Sequence, residues 1–135
     1  MQGRTQAHHV WTMSDVSQEL PHEDWQAHLE QLTKEHHGHE VTMELLEHPF
    51  GDEIEVQALP LAYVEYDPGD DVIILAVGGA DGRHPVVLRH IIEHPLRVMA
   101  DTYDSGRRLA LEVVAGDGSH TIVDIHDPTA RRRAP

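Results

Sequence analysis

Cysteine is absent from this 135-residue chain, which excludes disulfides and thiolate metal ligands and leaves histidine and carboxylate side chains to bind any transition metal. Aromatic residues are scarce, and Phe50 is the one phenylalanine, so a core must draw on Val, Leu and Ile. Such branched side chains suit strands packed under a helix better than a large helical bundle. No eighteen-residue apolar run and no charged-then-apolar leader occurs. The expectation is a soluble, cytoplasmic protein with no membrane partner. The length fits one domain with a single core.

Basic residues are also few. Ten of them face 24 acidic ones, for a formal charge of −14, and Lys34 is the one lysine. The average field of such a surface repels a phosphate backbone, so nucleic acid is not an expected partner unless a local basic patch overcomes it. Arg131-Arg132-Arg133 is the main candidate patch and reads as a solvated terminus. Acidic excess with almost no lysine also suits solubility in high salt.

The elements follow from periodicity. Residues 1 to 19 lack a sustained pattern and read as a loosely ordered arm, with Val10, Trp11 and Met13 as its apolar members. Pro21 suits a first helical position, Glu23 and Asp24 favour the positive end of the dipole, and Trp25, Leu29 and Leu32 share one face. Gly38 fits the position just past the helix end. These residues predict an amphipathic helix from about Pro21 to His37.

The period then changes to two. Val41 to Leu45 reads as a strand, Phe50-Gly51-Asp52 as a turn, and Glu53 to Val56 as a strand with Ile54 and Val56 inward. Pro60 marks an edge or a bend. Leu61 to Tyr66 resumes the sheet, and Asp67-Pro68-Gly69-Asp70-Asp71 turns it into the apolar central strand Val72 to Val77. Val86 to Leu88 and Val98 to Ala100 look extended, while Arg89 to Glu93 fits either a helical turn or a strand bent at Pro95. A clear hairpin joins Leu109–Val114 to His120–Ile125 across Gly116-Asp117-Gly118. The predicted class is α+β: an N-terminal amphipathic helix packed on a bent antiparallel sheet or small open barrel. Residues 20–127 form the domain and 128–135 a frayed tail.

Chemical signals are sparse. His90-Ile91-Ile92-Glu93-His94 matches the H-x-x-E-H pattern of inverted zinc peptidases. On a helix His90 and His94 could share a metal, with Glu93 to activate water; on a strand they stand about 13 Å apart at ~3.3 Å per residue. Thirteen histidines occur, and His36-His37-Gly38-His39 beside Glu35 and Glu40 could capture a divalent ion opportunistically, or favour the helix C-terminus. No dedicated cofactor is expected. Acidification would offset much of the negative charge. Gly78-Gly79-Ala80-Asp81-Gly82 contains an acid and precedes a strand pattern, unlike a phosphate loop. Asp67, Asp70 and Asp71 miss the EF-hand spacing, and no G-x-S-x-G nucleophile elbow occurs.

Two resemblances add to this. One helix followed by short strands, with Tyr66-Asp67 before Val72-Ile73-Ile74-Leu75 and then Arg89-His90-Ile91-Ile92, resembles the Sm-like small barrels of the Hfq type. That likeness implies a ring-forming RNA-binding protein with Asp67, Arg89 and His90 lining the pore. The turn here is longer, through Pro68 to Asp71, and the chain runs on past the expected end. Trp25 with Leu29 and Leu32, Leu59-Pro60-Leu61, Tyr66-Asp67, Asp71-Val72, His90-Ile91-Ile92 with His94-Pro95, and Leu111-Glu112-Val113 before Gly116-Asp117-Gly118 together resemble a bacterial family of small uncharacterised domains. This second likeness implies a small fold with no assigned activity. The functional expectation is a non-enzymatic binding or structural module that forms a homo-oligomer through its sheet edges. The Sm-like ring and a metal-dependent hydrolase are the alternatives.

Overall fold

The computed structural model describes residues 18–47, 51–78, 86–103 and 108–126, with the backbone alone at 47, 51–57, 87 and 103. Outside these lie the arm residues Val10, Trp11 and Met13, the glycine-rich stretch after Gly78, and the arginine tail. The inward placement expected for Ile54 and Val56 also concerns side chains outside the description.

Helix α1 spans Trp25–His36 and follows a single 3-10 turn at His22–Asp24. Pro21 stands before that turn in extended conformation (φ −61°, ψ 143°), so it caps the helical segment instead of opening it as expected. The far end agrees with the sequence: Gly38 lies just past the capping His37 with φ +88°, a backbone region that glycine enters without steric penalty. Trp25, Leu29 and Leu32 are buried on one face. Each buried leucine of this kind contributes roughly 1.5–3 kcal/mol.

The strands are β1 (Gln18–Glu19), β2 (Glu40–Glu47), β3 (Gly51–Asp67), β4 (Val72–Gly78), β5 (Val86–Glu93), β6 (Pro95–Tyr103), β7 (Arg108–Ala115) and β8 (His120–His126). All pair antiparallel in one eight-stranded sheet ordered β1-β6-β7-β8-β2-β3-β4-β5. The α+β class and the bent antiparallel sheet therefore stand, and among the described residues the sheet is open. The β7–β8 hairpin is as expected, with Asp117 Oδ1 accepting from Ser119 N at 2.9 Å and from Ser119 Oγ at 2.7 Å. Those two bonds hold the Asp117 carboxyl below its ordinary 3.8.

Two expectations change. Gly51 and Asp52 belong to β3, not to a turn. Arg89 to Glu93 is strand, and the bend falls at His94 (φ +52°), the single residue between β5 and β6. Because β5 and β6 stand far apart in the strand order yet are joined by one residue, the sheet must curl back on itself. Its concave side holds the core, including Val41, Met43, Val64, Ile73, Leu75, Val98, Leu111 and Ile125.

Strand β3 is the spine of this arrangement. It pairs with β2 up to Pro60 and with β4 from Leu61 onward, so the proline sits where the strand changes partner, and Ala58 just before it takes a left-handed φ of +59°. Beyond Pro60 the edge formerly covered by β2 would be bare. Helix α1 and its C-terminal turn cover it. Gly38 N donates to Leu61 O, Leu61 N donates to His39 O, and His37 Nδ1 donates to Ala62 O at 3.0 Å. Thr33 Oγ1 accepts from Val64 N at 3.0 Å and lies 2.9 Å from Val64 O and 3.0 Å from Leu29 O, its two acceptors.

A half-buried backbone donor and acceptor thus rest on one hydroxyl. Thr33→Val should lower the unfolding free energy by about 1–3 kcal/mol, the cost of leaving such groups unsatisfied, while Thr33→Ser should retain most of it. Urea denaturation of the two variants checks this, and equal stabilities would refute the role of the hydroxyl.

Candidate functional site

Three segments distant in sequence meet where the β3–β4 turn approaches the β5–β6 corner. Tyr66, buried near the end of β3, donates its hydroxyl proton to Asp71 Oδ1 at 2.8 Å. His22 Nε2 lies 3.2 Å from the same Tyr66 oxygen. A phenol has one proton, and Tyr66 gives it to the carboxylate, so His22 must be the donor here. Asp71 Oδ2 receives His94 Nδ1 at 3.3 Å, and His94 N donates to Asp71 O at 2.9 Å. The result is a continuous polar line, His22 to Tyr66 to Asp71 to His94.

Aromatic packing fixes one end of the line. The Trp25 ring lies edge-on to Tyr66 at 5.2 Å, and His22 stands 4.4 Å from Trp25 between centroids. Trp25 Nε1 donates to Leu20 O at 3.0 Å, and Leu20 N donates to Val98 O at 2.8 Å. These bonds tie the segment before the helix onto β6. At the other end Gly116 brings the β7–β8 turn against the corner: a Cβ there would stand 3.1 Å from His94 O.

The electrostatics follow from these contacts. The Tyr66 hydroxyl bond, then the His94 bond, hold the Asp71 carboxyl below its ordinary 3.8. The same bond to Asp71, with burial and the negative charges of Asp71 and Asp67, raises the Tyr66 hydroxyl above 10.0. Both Asp71 (φ +55°) and His94 occupy left-handed backbone, which carries a cost of roughly 1–2 kcal/mol for most side chains. The bonds between them hold both conformations in place.

The residues singled out from the sequence are distributed differently. His90 and His94 are strand and corner residues, not neighbours on a helix. His90 is half-buried with its Nε2 3.4 Å from Thr121 Oγ1 on β8, whereas His94 engages Asp71. Asp67 accepts from Gly69 N at 2.9 Å within its own turn. Arg89 Nε donates to Tyr63 Oη at 2.9 Å on the outer face of the sheet. Arg89 and His90 therefore point to opposite faces, and the Asp67 carboxylate is engaged by its own turn. His36 and His39 do meet, with their Nδ1 atoms 3.1 Å apart. Among the described residues no three His, Asp or Glu side chains converge as a metal set would, and no helix is long and apolar enough to cross a membrane.

A second polar group lies on the outer face of β7 and β8. Arg108 Nη2 pairs with Asp124 Oδ2 at 3.0 Å, His126 Nε2 approaches Asp124 Oδ1 at 3.9 Å, and His120 Nδ1 meets Glu112 Oε2 at 2.6 Å. Partly exposed pairs of this kind, two of them cross-strand and His126–Asp124 within β8, contribute at most about 1 kcal/mol each.

The corner network gives a pH prediction. A carboxyl whose folded value is depressed contributes stability that is complete above its unfolded value near 3.8 and lost as pH falls through the folded value. A raised tyrosine contributes fully below 10.0 and loses that contribution as pH rises through its folded value. Asp71→Asn should therefore flatten the loss of stability between about pH 5 and pH 2, and Tyr66→Phe should flatten it at both ends. Chemical denaturation across pH is the measurement, and parallel profiles for wild type and variants would show that the network is not coupled to folding.

Comparison with known proteins agrees with the second resemblance. The chain is 30% identical over 106 residues to an uncharacterized protein of Aquifex aeolicus (strain VF5), a match covering 78% of this chain and 88% of the relative. No solved structure matches significantly. Residues 16–134 match the family of unknown function DUF5335, a span that takes in every element described above, and the chain belongs to that family.

Proposed function

We propose that this protein is a non-enzymatic structural or binding module that works by associating with itself, its curled sheet serving as a small open barrel with one strand left free to pair. The observation that carries this reading is strand β5. It ends the strand order, and its outer side leaves Ile91 52% exposed, with Val86 and the nearby Leu96 of β6 also open to solvent. Among the described residues nothing pairs with its outer side, so it presents open backbone donors and acceptors beside apolar side chains, the combination that templates pairing with another chain. The polar line at the corner fits the same reading. Its bonds are spent on holding the turn and the corner in left-handed conformations, which makes it a brace for the end of β5.

Sedimentation velocity across a concentration series tests this. The 15.2 kDa chain should sediment as an assembly of at least two copies, and Ile91→Lys should shift it to a monomer that stays folded, with a far-UV circular dichroism spectrum like that of wild type, since an exposed substitution of this kind changes the stability of the fold itself by about 0.5 kcal/mol or less. Wild-type protein that remains monomeric up to millimolar concentration would overturn the reading.

A further inference from the structure

The register of β5 against β4 fixes which of its backbone groups face outward. His94 N donates to Asp71 O, one step beyond the Val72–Glu93 pair. Hydrogen-bonded pairs recur every second residue in an antiparallel ladder, so Ile92 and His90 bond to Ile73 and Leu75 of β4. The N–H and C=O groups of Arg89, Ile91 and Glu93 consequently point to the open side. The side chains of these three residues also share the outer face, and all three are exposed.

We infer that β5 pairs with β5 of a second copy of this chain, antiparallel and two-fold symmetric, with Ile91 opposite Ile91 on the axis. This inference rests on the self-association reading above and specifies its interface. Charge selects the register. With Ile91 on the axis, Arg89 of each copy falls opposite Glu93 of the other, so two apolar side chains meet at the centre and an opposite-charge pair closes each end. Sliding the partner by four residues so that Arg89 meets Arg89, or Glu93 meets Glu93, places like charges on the axis. An intermediate shift sets Arg89 or Glu93 against Ile91 and forfeits the charge pairs. The His94 corner ends the strand directly after Glu93, limiting the ladder to residues 89–93. Within it the three outward residues of each copy exchange N–H···O=C bonds with those of the other.

The chain has no cysteine, so a single introduced thiol reports the register without background. In a hydrogen-bonded antiparallel pair the Cα atoms stand about 5.5 Å apart, within disulfide range. Ile91→Cys should therefore cross-link to a covalent dimer under mild oxidation, while Leu96→Cys, at a position more exposed at 61% but off the axis, should not. Glu93→Arg should weaken the dimer about tenfold or more, and the double variant Arg89→Glu/Glu93→Arg should restore it to within about threefold of wild type. Cross-linking at 91 together with rescue by the charge swap supports the proposal. A wild-type dimer that neither cross-links at 91 nor responds to the charge variants overturns this interface while leaving self-association intact. A wild type that is monomeric throughout overturns both.

Discussion

Strand β3 is longer than either of its partners can cover, and the structure depends on how its bare half is satisfied. After Pro60 the strand leaves β2 and joins β4, which exposes one line of backbone groups. Helix α1 lies along that line as a substitute strand. Its last turn and the residues after it bond to Leu61 and Ala62, and Thr33 bonds to Val64. The spacing of these contacts reflects a register shift between Leu61 and Tyr63: with one extra residue in β3, Leu61 and Val64 both turn their polar groups toward the helix. Moving the helix would therefore strand buried donors and acceptors as well as uncover Leu29 and Leu32.

The second constraint is the corner at His94. A one-residue connection between strands that do not pair with each other requires a sharp reversal, and a left-handed residue supplies it. Histidine is not the least costly choice for that conformation, and its side chain offsets the cost by bonding to Asp71, which its backbone amide also binds. Asp71 is itself left-handed and also receives Tyr66. One carboxylate thereby joins the β3–β4 turn to the β5–β6 corner, and Tyr66 extends the connection through His22 and Trp25 to the base of the helix.

Much of the fold was legible in the sequence because its signals are local. Trp25, Leu29 and Leu32 marked the helix face, Gly38 its end, and the alternation from Leu109 to Ile125 the hairpin. Pro60 was legible as a break in the ladder, and it sits where β3 passes from β2 to β4. The position of the β5–β6 bend was not, because Ile91-Ile92 before a histidine and a proline fits either period, and only pairing with β4 decides for strand. The corner network was legible in none of its members as a set. Tyr66 and Asp71 are five residues apart across a turn, and His22 and His94 come from segments with no shared periodicity. The H-x-x-E-H spacing drew attention to His94 for a helical reason, whereas its partner is an aspartate in the β3–β4 turn.

A curled open sheet has edges that need different solutions, and among the described residues two of them are covered by the chain itself. The half of β3 beyond Pro60 is covered by the helix. The edge of β6 is covered over Ala100 and Met99 by the two residues of β1, anchored through Leu20 to Val98 and to the Trp25 indole. Strand β5 has neither cover among the described residues, and its outward sequence is Arg-Ile-Glu. A lysine-rich edge would repel every copy of itself. An edge that carries one charge of each sign about an isoleucine is complementary in one register and repels or forfeits its charge pairs in the others. In a chain whose net charge of −14 opposes indiscriminate contact between copies, the proposed pairing of β5 with itself would draw its selectivity from that local complementarity.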